Sequence, residues 1–425
     1  MFNFKILNLF FYFSFLSVFI WLFVLDAFHY NLGTVLIILT IYLNIVCVLV
    51  SVDSIKNNIN YFLLLLMILF FILLVLFSTN NVLVFYVFFE SSLIPMFLLV
   101  VGWGSRIEKS RAAYYLFFFT LISSILMLIG IIKLYLLTGS LNISYLSSIF
   151  IPIYYQKWGF VVICLAFMTK IPMFPFHIWL PQAHVEAPLA GSVLLAGIML
   201  KLGAYGFIKV AIPLYPYAFY YYSPFLLLLS LCSIVYGGLS TLRQSDMKRL
   251  IAYSSVAHMG FATYSLFNPN NVEMGIIACI IILIAHGFAS PGLFCVVGII
   301  YERYHTRIIR YYSGLGVVMP LLGVFAFLFT LSSIAFPGSL NFVGELLIIF
   351  VASEYSIFQA FIMCLGAFIG LLYSLYFYQR IFTGGLSKYL IEGREINKVE
   401  FTILLLLFFP IILSGIFPSI ILNYI

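Results

Sequence analysis

The sequence predicts an all-α, polytopic membrane protein with about thirteen transmembrane helices. Of its 425 residues, 65% are hydrophobic and only 8% are charged, whereas soluble domains carry roughly 25% charged residues. Apolar runs long enough to span a bilayer, at about 20 residues each, follow one another along nearly the whole sequence. No water-facing fold could bury that much apolar surface, so the composition excludes a soluble domain.

The predicted spans are separated by short polar loops. The first run has no small-residue cleavage site after it, so we expect a retained helix rather than a signal peptide. The spans lie near residues 7–25, 32–52, 60–79, 81–101, 111–137, 157–182, 187–212, 222–242, 247–267, 273–300, 315–351, 355–382 and 399–423.

Two of these spans contain helix breakers and are too long for one regular helix. The sixth holds Pro172 and Pro175, and the eleventh holds Pro337 followed by Gly338. Proline removes a backbone donor and disrupts a helix. Simple kinks would account for these residues. Each break lies within a few residues of a buried charge, however, which favours two discontinuous helices at a functional site, as in transporters built from inverted repeats.

Lysine and arginine are distributed unequally between the two faces of the membrane. Threading the spans puts Lys133, Lys157 and Lys209 on one face and leaves Lys170 and Lys201 inside apolar runs. The other fifteen of the 20 basic residues then lie on the opposite face. Positive loops face the matrix or cytoplasm, which predicts an internal N-terminus and an external C-terminus. Because the charges sit in short loops, the net charge of +7 does not indicate nucleic-acid binding.

Six ionisable side chains lie well inside apolar runs. A charge at the centre of a span costs about 2.5–3.5 kcal/mol on insertion scales, so such residues usually pair or face a hydrated interior. A static ion pair could explain two of them, and histidines often only donate hydrogen bonds between helices. Desolvation moves the pKa of lysine down and that of glutamate up, and histidine titrates near neutral pH. The set therefore favours proton transfer, and its members are Glu90, Lys170, Lys201, His258, His286 and Glu345.

A second group of polar residues leaves two interpretations open. They lie in a proline-rich stretch near the membrane face that carries the fifteen basic residues, here called the positive face. The three are His177, His184 and Glu186. They serve either the structure of a loop or the uptake of protons. The hydroxyls of Tyr253 and of its neighbours Ser254 and Ser255 could line a hydrated path, although hydroxyls are common in membrane bundles.

The sequence offers no ligand pattern for a cofactor or metal. None of the six cysteines belongs to a CxxC pair, whereas an iron–sulfur cluster needs grouped thiolates. No GxGxxG follows a strand and no Walker motif is present. His184 and Glu186 form an HxE triplet without a following cysteine pair, so we expect no zinc site.

Long motifs in the sequence resemble a known family. The segments are MTKIPMFPFHIWLPQAHVEAPLAGS (168–192), LKLGAYG (200–206), RQSDMKRLIAYSSVAHM (243–259), IAHG (284–287) and YERYHTR (301–307). Together they resemble the antiporter-like subunits of proton-pumping NADH:quinone oxidoreductase, respiratory complex I, over roughly residues 60–385. Among these subunits the chain 4 type is the most similar, because FFESSLIP (88–95) and YERYHTR are typical of it. The family usually has about one more transmembrane helix before the helix that carries Glu90, which makes fourteen transmembrane helices in all.

The resemblance implies a role for each buried ionisable residue. Glu90 would pair with Lys170 on the first broken helix, and Lys201 would be the central proton-carrying lysine. The two buried histidines would bridge from Lys201 to Glu345 on the second broken helix. Glu345 fits the chain 4 type because sister subunits usually carry lysine there. Lys170 and Glu345 would then occupy equivalent places in two inverted repeats.

The resemblance also implies an organisation and a setting. We expect N-terminal helices (1–80), a first repeat (81–212), a second repeat (213–385) and a C-terminal loop with the last helix (386–425). NADH, FMN, iron–sulfur clusters and ubiquinone would bind other subunits of the NADH:ubiquinone reductase. The expected partners are other membrane-arm subunits, sister antiporter-like subunits included, and membrane lipids, with cardiolipin as a candidate.

The expected location is the mitochondrial inner membrane, with the N-terminus in the matrix and the C-terminus in the intermembrane space. Two alternatives stay open. One is a cation/proton antiporter subunit, in which a different driver would use the same residues. The other is a structural membrane spacer, which would leave four buried charges unexplained.

Overall fold

The computed structural model describes residues 32–388, 390 and 394–422, which fold almost entirely into α-helices. The helical stretch Leu189–Leu214 includes π-helical turns at Leu195–Met199 and Phe207–Ala211. In chain order the helices are α1 (Leu32–Ser54), α2 (Ile59–Ser78), α3 (Val82–Ser91), α4 (Leu93–Trp103), α5 (Lys109–Thr138), α6 (Ile143–Ser148), α7 (Ile153–Lys170), α8 (Trp179–Glu186), α9 (Leu189–Leu214), α10 (Pro216–Leu242), α11 (Met247–Leu266), α12 (Val272–Tyr304), α13 (Leu315–Val318), α14 (Pro320–Ser333), α15 (Leu340–Tyr355), α16 (Ile357–Phe382), α17 (Lys398–Ile416) and α18 (Ser419–Leu422).

The helices confirm the predicted all-α, polytopic membrane fold. Each predicted span from 32–52 onward coincides with one helix or with a broken set of helices. Among the described residues, nine helical stretches are long and apolar enough to cross a membrane. The span predicted near 7–25 lies outside the described residues, so the total of thirteen stays a prediction.

Local signals in the sequence explain where several helices begin. The side chain of Asp246 accepts a hydrogen bond from the backbone N–H of Lys248 at 2.9 Å and caps α11, as acidic N-cap residues commonly do. Pro216 and Pro320 stand at the first positions of α10 and α14, where a missing N–H costs nothing. Sequence-local chemistry therefore sets these boundaries.

Both predicted breaks are present, and a side chain beyond each break satisfies a backbone carbonyl before it. Helix α7 ends at Lys170, and Trp179 Nε1 reaches back to donate to the carbonyl of Thr169 at 2.8 Å. Helix α14 ends at Ser333, and Asn341 Nδ2 donates to the carbonyl of Ser332 at 2.7 Å. Irregular backbone at membrane depth needs such internal partners, so these two breaks are built features of the fold.

Helices α9 and α12 form the centre of the bundle. The apolar window of α9 is 89% buried and that of α12 is 72% buried, against 33% for α16 and α17. Glycines allow close packing around them. A Cβ at Gly203 on α9 would lie 2.7 Å from the carbonyl oxygen of Phe167 on α7, and one at Gly344 on α15 would lie 2.6 Å from Ile282 on α12. These contacts bring both broken helices against the central pair.

Candidate functional site

Lys201 and His286 meet at the centre of the bundle. The side chain of Lys201 is fully buried on α9. Its Nζ donates to the carbonyl oxygen of Ala196 at 2.5 Å and lies 3.1 Å from Nδ1 of His286 on α12. Ala196 belongs to the first π-helical turn of α9, and such distortions often occur at functional sites. Ser290 donates to the backbone carbonyl of His286 at 2.8 Å. The lysine and the histidine are therefore held in hydrogen-bonding contact.

His258 and Glu345 form a second buried contact beside the first. Nδ1 of His258 on α11 lies 3.6 Å from Oε1 of Glu345 on α15. On the other side of the ring, Nε2 lies 3.4 Å from the hydroxyl of Tyr373 on α16. The rings of His258 and His286 are 5.8 Å apart between centroids. Four helices thus bring together what we call the central network, formed by Lys201, His286, His258 and Glu345.

The spacing at two of the three links in the central network suits proton transfer, while the two histidine rings, 5.8 Å apart between centroids, need a water or a ring movement between them. A proton moves between heavy atoms about 2.6–3.2 Å apart, or through one intervening water. The 3.1 Å contact of Lys201 with His286 meets the direct criterion. The 3.6 Å contact of His258 with Glu345 is slightly longer, within reach of a small movement or one water. All four side chains are nearly inaccessible to bulk solvent, so protons would stay within the network.

Glu90 and Lys170, here called the lateral pair, lie apart from the central network. Lys170 Nζ lies 4.6 Å from the centroid of the Phe89 ring, a cation–π contact worth up to about 2 kcal/mol when desolvated. Lys170 Nζ and Glu90 Oε1 are both buried without a hydrogen-bond partner among the described residues. The two charges interact through space, but no ion pair joins them in the described structure. The lateral pair is therefore open in this structure.

The structure separates the six predicted residues into two groups rather than one row. No hydrogen bond of the described residues connects Lys170 to Lys201, whose partners are Ala196 and His286. Lys170 is the last residue before the first break, whereas Glu345 follows the second break inside α15. The two residues thus lie on opposite sides of their breaks, and their equivalence in two inverted repeats stays a prediction.

The second group of candidates is divided by its contacts. His184 is fully buried and stacks on Phe294 at 4.7 Å between centroids, and neither ring nitrogen has a partner among the described residues. Glu186 lines a cavity of about 220 Å³ and leaves Oε2 without a partner. His177 instead packs against the ring of Tyr236 at 5.1 Å. Nδ1 of His177 is also buried without a partner among the described residues, so both interpretations stay open for all three residues.

Two of the three hydroxyls that could line a hydrated path are engaged within their own helix. Ser254 donates to the carbonyl of Ile251 at 2.8 Å, and Ser255 donates to that of Ala252 at 2.7 Å, both within α11. The ring of Tyr253 lies beside that of His177, at 6.3 Å between centroids. The two serine hydroxyls are therefore committed as donors to their own helix.

Two basic residues near the positive face are more deeply buried than their loop positions suggest. Lys248 Nζ donates to the carbonyl of Ala187 at 2.6 Å. Arg307 donates to the carbonyl of Val185 and to the hydroxyl of Ser105. They hold the connection between α8 and α9, next to His184. No sequence signal separates them from the other loop cations, since their burial depends on tertiary packing.

The side chains at the centre of the bundle are groups that exchange protons. Across residues 32–388, 390 and 394–422, no group of three or more His, Cys, Asp or Glu side chains could hold a metal ion. The side chains that gather at the centre are a lysine, two histidines and a glutamate, which exchange protons. The arrangement is therefore suited to moving protons through an enclosed interior.

Comparisons with known proteins relate this chain to subunits of NADH:quinone oxidoreductases and Mrp antiporters. Residues 79–370 match the family described as NADH:quinone oxidoreductase/Mrp antiporter, transmembrane. NADH-ubiquinone oxidoreductase chain 4 of Metridium senile is 46% identical over 91% of this chain and 78% of its own length. A chain of respiratory complex I from Thermus thermophilus superposes with a TM-score of 0.85 at 30% identity, over 91% of this chain and 81% of that one. A chain of the Mrp complex from Dietzia superposes with a TM-score of 0.82 at 20% identity, over 93% and 82%.

Proposed function

This chain belongs to the chain 4 family of NADH-ubiquinone oxidoreductase, and we propose that its central network carries the translocated protons. It is a proton-translocating membrane subunit of that oxidoreductase, in which electron transfer from NADH to ubiquinone drives proton pumping. The observation that supports a role for the network is the set of contacts from Lys201 through His286 and His258 to Glu345. In this proposal Lys201 delivers a proton to His286, and Glu345 receives it after His258.

The lateral pair would supply the electrostatic drive. Two unit charges about 4 Å apart interact by roughly 4 kcal/mol at an effective dielectric constant of 20. Closing the pair would cancel the charge of Lys170, and opening it would expose that charge to Lys201. An exposed positive charge would favour release of the Lys201 proton toward the histidines. The open arrangement, with Lys170 against Phe89, supports a pair that can exist in two states.

Proton uptake is proposed at the positive face. Glu186 borders a cavity of about 220 Å³ that is also lined by Glu108, Arg111 and Arg249. His184 follows Glu186 inward, and both of its ring nitrogens are buried without partners among the described residues. A proton taken up by Glu186 would therefore pass His184 before it reaches the central network.

The setting of the chain forms part of the proposal. The partners are the other membrane-arm subunits, including sister antiporter-like subunits, and membrane lipids, with cardiolipin as a candidate. NADH, FMN, iron–sulfur clusters and ubiquinone would bind elsewhere in the complex. The membrane is the mitochondrial inner membrane, with the positive face toward the matrix. The division into repeats at 81–212 and 213–385 is supported by the matching side-chain caps at the two breaks.

The alternative of a cation/proton antiporter subunit has weaker support. The similarity to the Mrp chain is 20% in sequence, which supports a shared fold only. The chain 4 relative is 46% identical over 91% of this chain. A purely structural spacer would not need a lysine, two histidines and a glutamate in mutual contact at its centre.

The test replaces Lys201 by arginine in the assembled complex. Arginine keeps the positive charge and a donor toward His286, but its reference pKa exceeds that of lysine by at least about 2 units, so proton release slows about 100-fold or more. The measurement is the rate of NADH-driven proton pumping by proteoliposomes that contain the whole complex, with NADH oxidation followed in parallel. We expect the coupled rate to fall at least about tenfold, since a step slowed about 100-fold becomes limiting.

The matched control is Lys209→Arg. Lys209 lies on the same helix, donates to the hydroxyl of Tyr205 at 2.8 Å and has no part in the central network. Native gels would establish that both variants assemble. Normal coupled pumping in an assembled Lys201→Arg complex would sink the proposal.

A further inference from the structure

A long apolar groove runs along the outside of the bundle between α7 and α10. Its volume is about 910 Å³, and nearly all of its lining is apolar. The groove is open toward the membrane, since Phe225 and Tyr221 are 58% and 55% exposed. Its walls are formed by side chains that include Val161, Leu165, Phe174, Tyr221, Phe225 and Leu229.

The groove lies beside the first break. Leu165 and Met168 near the end of α7 line it together with Phe174 and Pro175, which follow the break after Lys170. Helix α10 carries Pro224 at the groove, and a proline inside a helix kinks it or breaks its hydrogen-bond ladder. The backbone N–H of Phe174 donates to the hydroxyl of Ser233 on α10 at 2.9 Å, which fixes the far wall. The groove is thus a built consequence of the fold.

A cation and two aromatic rings stand at the mouth of the groove. Lys157 Nζ lies 3.6 Å from the centroid of the Tyr221 ring and 5.7 Å from that of Tyr217. Aromatic rings and lysines of this kind sit at the level of lipid headgroups. Lys157 lies at the start of α7, on the membrane face that receives only three cations in the sequence-based topology. The site therefore joins a cationic mouth at headgroup level to an apolar body within the bilayer.

We propose that this groove binds one phospholipid with an anionic headgroup. The phosphate would contact Lys157 Nζ, and an acyl chain would lie along the apolar wall from Tyr221 toward Phe174. Charge complementarity at the mouth and apolar complementarity along the body select an anionic phospholipid. An apolar helix of another subunit could fill the body of the groove but would leave the ammonium group without an anion.

The position of the groove gives the lipid a consequence for the first break. Met168 and Phe174 line it, and they flank Lys170 by two and four residues along the chain. An acyl chain packed against Met168 and Phe174 would stabilise the broken segment. It would thereby keep Lys170 in contact with the ring of Phe89. The effect on Lys170 rests on the proposed function of the lateral pair, whereas the lipid site itself does not.

The test uses phospholipids that carry a photoreactive diazirine in one acyl chain. The assembled complex is reconstituted in vesicles with either a phosphatidylglycerol or a phosphatidylcholine probe, illuminated and digested, and the labelled peptides are identified by mass spectrometry. We expect the phosphatidylglycerol probe to label peptides covering residues 160–176 and 221–229 above other membrane-facing segments. This measurement needs no proton pumping, so its failure is distinct from a failure of the proposed function.

Two variants and two matched controls sharpen the result. Lys157→Gln should lower labelling by phosphatidylglycerol about fivefold, the factor one lysine contributes near an anionic lipid surface, and should leave phosphatidylcholine labelling unchanged. Leu165→Trp should fill the groove and abolish labelling by both probes. Lys133→Gln, with its cation over Trp158 at 4.3 Å, and Ile129→Trp on exposed α5 should change neither. Equal labelling of all membrane-facing segments, or equal labelling of the groove by the two probes, would overturn the proposal.

Discussion

Replacing Glu345 by glutamine removes one negative charge from the central network and preserves the size of the side chain. Glu345 Oε1 lies 3.6 Å from His258 Nδ1, and the two side chains are 9% and 10% exposed. At an effective dielectric constant of 20, unit charges at this distance attract by about 5 kcal/mol. Glutamine removes this attraction and cannot take up or release a proton, so the variant deletes the proton-accepting end of the central network.

The consequence is a block in proton transfer at His258. We expect the assembled Glu345→Gln complex to oxidise NADH and pump protons more slowly, at least about tenfold in the coupled rate, because glutamine cannot accept the proton that His258 passes on. The assay is NADH-driven proton uptake by proteoliposomes, with NADH oxidation followed in parallel.

Glu354→Gln provides the control, since Glu354 is an exposed acid on the same helix. It should leave both rates unchanged. If Glu345→Gln assembled fully and pumped as many protons per NADH at the normal rate, the coupling of His258 to Glu345 would be refuted.

Three further substitutions test how the fold positions the site. Gly203→Leu should destabilise the complex by about 1–3 kcal/mol through overpacking against α7, seen as a lower melting temperature and less assembled complex on native gels. Asn341→Ala leaves the carbonyl of Ser332 without its 2.7 Å donor and should cost about 1–3 kcal/mol; an unchanged melting temperature would contradict the capping role. Glu400→Gln breaks a buried bidentate pair with Arg303, at 2.6 and 2.9 Å, and should cost about 3–5 kcal/mol. Limited proteolysis of α17 would detect that loss.

The sequence was sufficient to predict the helices and their breaks. Pro172 and Pro337 mark the breaks because proline removes a backbone donor and clashes with the preceding turn, although Pro224, Pro291 and Pro410 lie within continuous helices. The burial of Lys201 and Glu345 was likewise predictable, since each stands alone in a long apolar run. Such features depend on local chemistry and on the cost of placing a charge in hydrocarbon.

The division of the six residues into two groups could not be predicted from sequence. Lys201 and His286 are 85 residues apart along the chain, and only the packing of α9 against α12 brings them into contact. The ring of Phe89 beside Lys170, which accompanies an open pair with Glu90, likewise depends on side-chain placement. Pairing implied by a family pattern does not specify which of two conformations the side chains adopt.

The deep burial of loop cations also escaped sequence reasoning. Lys248 and Arg307 served as orientation signals because they follow polar segments, yet both bond to backbone carbonyls beneath the positive face. The π-helical turns of α9 leave no recognisable mark in the sequence. Both the burial of these cations and the π-helical turns depend on how neighbouring helices pack, which the local sequence does not specify.

The central claim, that the network changes its protonation when NADH is oxidised, is tested most directly by infrared difference spectroscopy on the assembled complex. The account predicts a protonated-carboxyl band that appears or shifts on addition of NADH, disappears in Glu345→Gln and persists in the Glu354→Gln control. A difference spectrum in which Glu345→Gln leaves every carboxyl band unchanged would contradict it.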